Sequence, residues 1–177
     1  MGDFTNSTHL ALIPKENRPS NFSWFRPISL CNSSYKIFTK ILASQLKPLL
    51  PMLISKNQGV FMENRQILDS ILLVQEAIHS SHSRNEKGFI LKLDLENVFD
   101  RVKHSFLFAA LQKIGFASSF LDLIRAYIYG PWIAPLVNGR PGPTFQSSRG
   151  LRQGCPLSPY LFILMSKSFS CTLDHKR

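Results

Sequence analysis

The sequence lacks the residue patterns of secreted, zinc-binding and membrane-spanning proteins. Its 177 residues include only 3 cysteines, which form no CxxC pair. An odd number of scattered cysteines argues against a zinc knuckle or a disulfide framework and favours reduced thiols in an intracellular protein. No apolar run approaches the ~18 residues of a membrane span, and the N-terminus lacks a basic-then-apolar signal. We therefore expect a nuclear or cytoplasmic protein with no membrane partner.

Acidic residues are also scarce, and the basic excess lies mainly at the two ends of the chain. The formal net charge is +10, of which residues 1–50 contribute +4, residues 51–139 contribute +1 and residues 140–177 contribute +5. Basic flanks around a middle that holds the acids suit a polyanion running over a metal-binding centre. A basic surface that only maintains solubility explains the charge equally well.

Apolar periodicity predicts two helices in the first half of the chain. Residues 1–32 contain several prolines and are expected to form an extended lead-in. A second helix, predicted from about Arg65 to His79, has its inward positions at Ile67, Ile71, Val74 and Ile78. The first helix follows the lead-in, begins at a Ser33 or Ser34 cap and presents an inward apolar stripe: Ile37, Ile41, Leu42, Leu46 and Leu49.

The second half of the chain is predicted to begin with a strand and to end with a helix. Apolar side chains alternate over residues 89–95, which is typical of a strand. Two helices, separated by Gly115, are predicted at residues 103–114 and 117–129. The remaining predictions are strands at 132–138 and 143–146 around the turn-rich NGRPGP, and a last helix from about Ser158. This order indicates an α+β fold in which helices pack on a small antiparallel sheet.

The segment GFILKLDLENVFDRV, residues 88–102, contains two aspartates, Asp94 near the end of the predicted strand and Asp100 six residues later. A strand that ends in Asp94 can present its carboxylate at the rim of a sheet, where Mg²⁺ binds through carboxylates and substrate phosphates. A solvated acid at a strand end is the alternative. Asp100 precedes an apolar-periodic segment, so we favour a helix N-cap over metal ligation for this residue.

A second informative segment is SSRGLRQGCPLSPYLF, residues 147–162. Its glycines allow backbone conformations that other residues resist. Arg149 and Arg152 bring positive charge, and Gln153 brings an amide that can read or position a base edge. Two prolines stiffen the entrance to a helix whose positive end can face phosphate. As a generic basic glycine loop this segment is a weak signal, but the string as a whole is specific.

Together these segments resemble the reverse transcriptase of plant non-LTR (LINE-type) retrotransposons. The resemblance rests on KLDLENVFDRV and RGLRQGCPLSPYLF, and on two earlier strings, LIPK…FRPISLCNSSYKIFTKIL at residues 12–42 and QGVFMENRQILDSI at residues 58–71. It implies an incomplete domain of a right-hand polymerase, fingers-like over about 1–87 and a partial palm over about 88–177. It also implies an RNA template, a DNA primer and deoxynucleotides as partners.

The resemblance further implies roles for individual residues. Asp94 matches the first catalytic, metal-binding carboxylate, which holds two Mg²⁺ ions together with the backbone carbonyl of Leu95. Phe99 matches an aromatic ring beneath the incoming sugar that leaves no room for a 2′-hydroxyl, although an ordinary buried Phe is equally consistent with packing. The remaining implied contacts are nucleotide binding by Arg65, Gln153 and Gly154, and nucleic-acid binding by Arg26, Arg149 and Arg152.

Several residues depart from the family pattern. Asn64 stands where Gly is usual, Asn97-Val98 where Lys-Ala is usual, and Lys167 where Glu is common. The family's [FY]-x-D-D hairpin is absent, because no two acidic residues are adjacent and Asp174 is the only acid after Gly154. The thumb is also missing from the sequence.

These absences predict that the chain does not polymerise by itself. Two Mg²⁺ ions held ~4 Å apart bring four positive charges into one site. One carboxylate, the carbonyl of Leu95 and a triphosphate are expected to bind this pair weakly. The alternatives are a non-catalytic RNA- or DNA-binding remnant and a retroelement relic that folds poorly because its sheet edges stay uncovered.

Overall fold

A computed structural model describes residues 7–55, 58–62, 65–92 and 94–174, with the backbone alone described for 169–174. Within these ranges four strands form one sheet in the order β2-β1-β3-β4. β1 pairs antiparallel with β2 and parallel with β3, whereas β3 and β4 are antiparallel. The strands are β1 (Ser7–Pro14), β2 (Phe25–Leu30), β3 (Trp132–Val137) and β4 (Arg140–Pro141).

This sheet confirms the α+β class, although it is mixed rather than purely antiparallel. The segment expected to be an extended lead-in supplies β1 and β2. In the connection between these strands, the backbone N–H of Lys15 donates to the carbonyl of Trp24 at 2.8 Å. β1 and β3 can run parallel because a long helical segment separates them in sequence. The sheet therefore joins the beginning of the chain to its second half.

Seven helices lie in the described part of the chain, and they include all the helices predicted from periodicity. None of them is long and apolar enough to cross a bilayer. Their bounds are α1 (Ser33–Leu46), α2 (Leu50–Leu53), α3 (Ile67–Ser83), α4 (Val98–Arg101), α5 (His104–Ile114), α6 (Ser118–Tyr129) and α7 (Ser158–Asp174).

The ends of two predicted helices have clear local causes. α1 is capped by Asn32 rather than by Ser33 or Ser34: Asn32 keeps an extended backbone, and its side chain accepts from the Tyr35 N–H at 2.8 Å. The cap residue precedes the first helical residue, and both serines already lie in the helix. α5 ends at Gly115, as predicted, where φ is +98° and glycine adopts the left-handed conformation without strain.

The hydrophobic core is formed mainly by α1, α5, α6 and α7. It includes Leu46, Leu107, Ile124, Leu161 and Leu164, which are almost completely buried. The predicted α1 stripe is partly wrong. α1 buries Leu42, Leu46, Thr39 and Ala43, while Ile37, Ile41 and Leu49 are exposed.

α3 exists as predicted, but the inward orientation predicted for its apolar stripe is wrong. None of its residues is buried, and its stripe is substantially exposed: Ile67, Ile71, Val74 and Ile78. Periodicity identifies an amphipathic helix, but it does not determine which surface covers that helix.

The predicted strand at residues 89–95 is absent from the residues described there, and Leu93 lies outside them. Phe89 is 92% exposed. Alternation sets the two faces of a strand, but a strand also needs a hydrogen-bonded neighbour.

The second strand of the predicted hairpin lies at 140–141 rather than at 143–146. Asn138 and Gly139 have φ of +50° and +77°, which suit a two-residue turn leading directly into β4. Phe145 instead forms an isolated bridge with Ile133.

Candidate functional site

The loop RGLRQG, residues 149–154, hydrogen-bonds to the backbone around α4. The N–H of Gly150 donates to the carbonyl of Val102, and the N–H of Leu151 donates to the carbonyl of Phe99, both at 2.8 Å. Gly150 has φ of +94°, and a Cβ atom there would lie 3.1 Å from the carbonyl oxygen of Asp100. Glycine at this position thus permits both the backbone conformation and the close approach.

The same loop contacts strand β2. The Ser29 N–H donates to the carbonyl of Gln153 at 2.9 Å. Gly154 has φ of +91°, and a Cβ atom there would meet the Ser29 carbonyl oxygen at 3.4 Å. The segments FRPISL, VFDRV and RGLRQG, which are distant in sequence, therefore meet at this loop.

Asp100 holds the side chain of Gln153. The amide nitrogen of Gln153 lies 3.1 and 3.2 Å from the two carboxylate oxygens. Partial burial raises the pKa of Asp100, while the hydrogen bond from Gln153 and the charge of Lys15 act to lower it. The predicted N-cap role is wrong: Asp100 lies inside α4, and the next helix is preceded by Lys103.

Beside the loop lies a cleft of about 500 Å³, which we call the loop cleft. Phe99 is half-buried and stacks on Phe162, with ring centroids 4.9 Å apart, so a flat ring borders both the cleft and the core. The cleft brings together six of the residues with predicted site roles: Arg26, Leu95, Phe99, Arg152, Gln153 and Gly154.

Arg152 is buried, with 8% of its surface exposed. Its guanidinium donates to the carbonyls of Tyr127 at 2.7 Å and Ile128 at 3.0 Å, near the end of α6, and to the hydroxyl of Tyr35. The rings of Tyr35 and Tyr127 lie 5.3 and 5.1 Å from its Cζ atom. This anchoring role was missed from the sequence, and the placement gives no support to the predicted nucleic-acid contact.

Two other predicted arginines lie outside the lining of the loop cleft. Arg149 is exposed and lines a smaller neighbouring cavity of about 140 Å³ that Asp100 and Gln153 also line. Arg65 donates to the carbonyls of Ser55 and Gln58, both at 2.7 Å. It lines a separate cleft at the start of α3.

The described residues do not form a complete site for two metal ions. Asp94 is exposed and is not part of the loop-cleft lining, whereas Leu95 is. Among the described residues, no group of three or more His, Cys, Asp or Glu side chains is placed to hold a metal. One carboxylate and one carbonyl leave most positions around two Mg²⁺ ions unfilled.

The departures from the family pattern have separate structural settings. Asn97 has φ of +51°, a left-handed conformation that Asn tolerates better than most residues. Its side-chain oxygen accepts from Lys15 Nζ at 3.2 Å, which links the end of β1 to the start of α4. Lys167 is half-buried on α7, and Asn64 lies outside the described residues.

Comparison with known proteins identifies the family. Residues 13–177 match the family model described as reverse transcriptase (RNA-dependent DNA polymerase). The chain therefore belongs to the reverse transcriptase family. Its relatives place it among the reverse transcriptases of non-LTR retrotransposons.

Three relatives illustrate the match. The uncharacterized 149 kDa protein of transposon TX1 from Xenopus laevis is 31% identical over 164 residues, covering 93% of this chain and 12% of the relative. The Pol polyprotein of a type-1 R2 element from Popillia japonica is 30% identical, covering 92% of this chain and 23% of the relative. The R2DM polyprotein of Drosophila melanogaster is 27% identical, covering 97% and 16%. The chain thus spans less than a quarter of each relative.

Proposed function

We propose that this chain supplies the fingers, over about 1–87, and part of the palm, over about 88–177, of a non-LTR retrotransposon reverse transcriptase. In the intact enzyme the loop cleft would receive the incoming deoxynucleotide opposite an RNA template and at the end of a DNA primer. The single observation that carries this proposal is the convergence of Arg26, Phe99, Gln153 and Gly154 around one cleft.

The contacts in the cleft suggest a division of roles. The ring of Phe99 is stacked from behind by Phe162, so it can form a rigid floor that excludes a 2′-hydroxyl. The amide nitrogen of Gln153 is directed at Asp100, which leaves its carbonyl oxygen to accept a hydrogen bond from a ligand. Arg26 is exposed at the cleft and can approach a phosphate.

Arg65, Arg149 and Arg152 remain proposed contacts outside this group. Arg149 is free of the core and can reach nucleic acid from its exposed position. Arg65 and Arg152 would have to leave backbone carbonyls before they could bind a phosphate. A bidentate contact with a triphosphate would need to compensate for the hydrogen bonds lost.

Reverse transcriptases generally use divalent metal ions, and Mg²⁺ is the ion that we propose here. Asp94 and the carbonyl of Leu95 would hold it, and bound metal would stabilise charge at the phosphate that reacts. Because the sequence has no pair of adjacent acids to complete the site, we propose that binding is weak and that the chain alone is inactive.

Primer extension tests this proposal directly. The purified chain is incubated with an RNA template, a labelled DNA primer, deoxynucleotides and Mg²⁺, and Asp94→Asn serves as the matched variant. We expect no extension by either protein. Extension by the unaltered chain that Asp94→Asn abolishes would overturn the proposed inactivity, and it would support the assignment of Asp94.

A non-catalytic RNA- or DNA-binding protein is the second candidate. The net charge of +10 and the exposed Arg26 and Arg149 beside neighbouring cavities favour it. Binding would depend mainly on phosphate contacts and would weaken steeply as salt rises. Salt-dependent binding without extension would favour this role for the isolated chain.

A further inference from the structure

Two cysteines that are distant in sequence meet beside the loop cleft. Cys31 follows β2, and Cys155 follows the RGLRQG loop and lines the cleft. Each lies two residues beyond the hydrogen bond that joins the Ser29 N–H to the Gln153 carbonyl. Both thiols are buried, at 8% and 4% exposure, and they hydrogen-bond to each other. Neither is in a disulfide.

We propose that Cys31 and Cys155 form an oxidisable pair that a hydroperoxide converts into a disulfide, tying the end of β2 to the loop that carries Gln153. The 2.9 Å hydrogen bond from the Ser29 N–H to the Gln153 carbonyl holds the two segments together, and the two cysteine side chains lie close enough to interact. Disulfides require this kind of side-chain proximity. This inference does not depend on the proposed function.

The surroundings assign different roles to the two sulfurs. The interaction with the Cys31 side chain lowers the pKa of Cys155, although burial acts to raise it. The same contact, together with burial, raises the pKa of Cys31. The thiolate is the nucleophilic form of cysteine. Cys155 also lines the loop cleft, which Cys31 does not, so Cys155 is the sulfur that attacks the oxidant.

The oxidation proceeds in two balanced steps. The Cys155 thiolate attacks one peroxide oxygen, which breaks the O–O bond and yields a sulfenic acid and, after protonation, one water. The sulfur of Cys31 then attacks the sulfenic sulfur, forms the S–S bond and expels hydroxide, which takes the thiol proton and leaves as a second water. The two sulfurs lose two electrons in total, and hydrogen peroxide gains them.

Peptide mapping after oxidation tests the inference. The folded chain is treated with hydrogen peroxide, remaining thiols are alkylated under denaturing conditions, and the digest is analysed without reduction. We expect two of the three thiols to be lost, with Cys31 and Cys155 in one linked peptide that dithiothreitol separates. Alkylated Cys31 and Cys155, or a linkage mainly to Cys171, would overturn the proposal.

Matched variants separate selective pairing from random oxidation. Cys171→Ser should form the same linked peptide, whereas Cys31→Ser should not. The linked form of Cys171→Ser should unfold at a higher temperature than its reduced form, because the disulfide closes a long loop of the unfolded chain. Chain oxidised in urea should give mixed pairings. If the disulfide between Cys31 and Cys155 forms as selectively in urea as in the folded chain, the contact in the folded chain is not the cause of the selectivity, and the proposal is overturned.

Discussion

The side-chain nitrogen of Gln153 lies within 3.2 Å of both carboxylate oxygens of Asp100, although the two residues come from separate sequence motifs. The backbones of α4 and the RGLRQG loop are joined by the hydrogen bond from Leu151 to Phe99. The Gln153–Asp100 pair adds a side-chain contact between the same two segments. The orientation of the Gln153 amide in the cleft therefore depends on an acid that the sequence alone suggested as a helix cap.

Because the pKa of Asp100 is raised in the folded chain, we expect the free energy of unfolding to depend on pH. Burial raises the pKa of folded Asp100 above its ordinary value of 3.8, so the folded protein holds this proton more tightly than the unfolded chain does. The resulting stability is fully present below pH 3.8 and is lost as pH rises through the folded pKa. Asp100→Asn removes this loss, so the variant should gain stability relative to the unaltered chain from pH 3.8 upward.

Urea unfolding across that pH range measures this effect, with Asp122→Asn as a control at an exposed acid. Parallel plots of unfolding free energy against pH for Asp100→Asn and the unaltered chain would contradict the prediction.

Gln153→Ala is expected to lower the free energy of unfolding by about 1–3 kcal/mol at neutral pH, because it leaves a partly buried carboxylate without its amide partner.

Gly150→Ala should destabilise the chain more than Gly139→Ala. Both glycines have positive φ, so both changes carry about 1–2 kcal/mol of left-handed strain. A Cβ atom at Gly150 would also press on backbone atoms of Asp100 at 3.1 and 3.3 Å, whereas nothing lies within 4 Å at Gly139. Overpacking should add about 1–3 kcal/mol at Gly150. Thermal or urea unfolding compares the two variants, and equal losses would show that the loop moves away from α4 freely.

Arg152→Met should destabilise the fold, whereas Arg149→Met should not. Met keeps the apolar stem of Arg152 but removes the donors to the carbonyls of Tyr127 and Ile128. The Tyr127 carbonyl keeps a hydrogen bond from the Tyr35 hydroxyl at 2.6 Å, so the main loss is at the Ile128 carbonyl. Removing its donor should cost about 1–3 kcal/mol. The exposed Arg149 should change stability by no more than about 0.5 kcal/mol. A comparable loss in both variants would contradict the anchoring role of Arg152.

Arg26→Ala should weaken nucleic-acid binding without changing stability. Arg26 is exposed at the loop cleft, so its loss should remove about one phosphate contact and make the salt dependence shallower by about one unit of slope. Fluorescence anisotropy with an RNA–DNA duplex at several salt concentrations measures both quantities. Arg140→Ala, at an exposed arginine outside the cleft lining, is the control and should retain the original slope.

Much of the local structure was predictable from the sequence. The period of apolar residues located α3, α5 and α6, and Gly115 marked the end of a helix. The motif strings identified the family that the comparison then showed. The position and the end of a helix are determined by residues that are close in sequence, because its hydrogen bonds are local and a glycine can end it. They can therefore be predicted from one sequence.

The tertiary structure decided which surfaces are covered and which side chains meet. It buried Arg152 against two tyrosine rings that stack on each other, exposed the apolar stripe of α3, and left residues 89–92 without a partner strand. It also brought Cys31 to Cys155 and Asp100 to Gln153. Such contacts require distant segments to approach and pack with complementary shapes, and no local period or propensity encodes that approach.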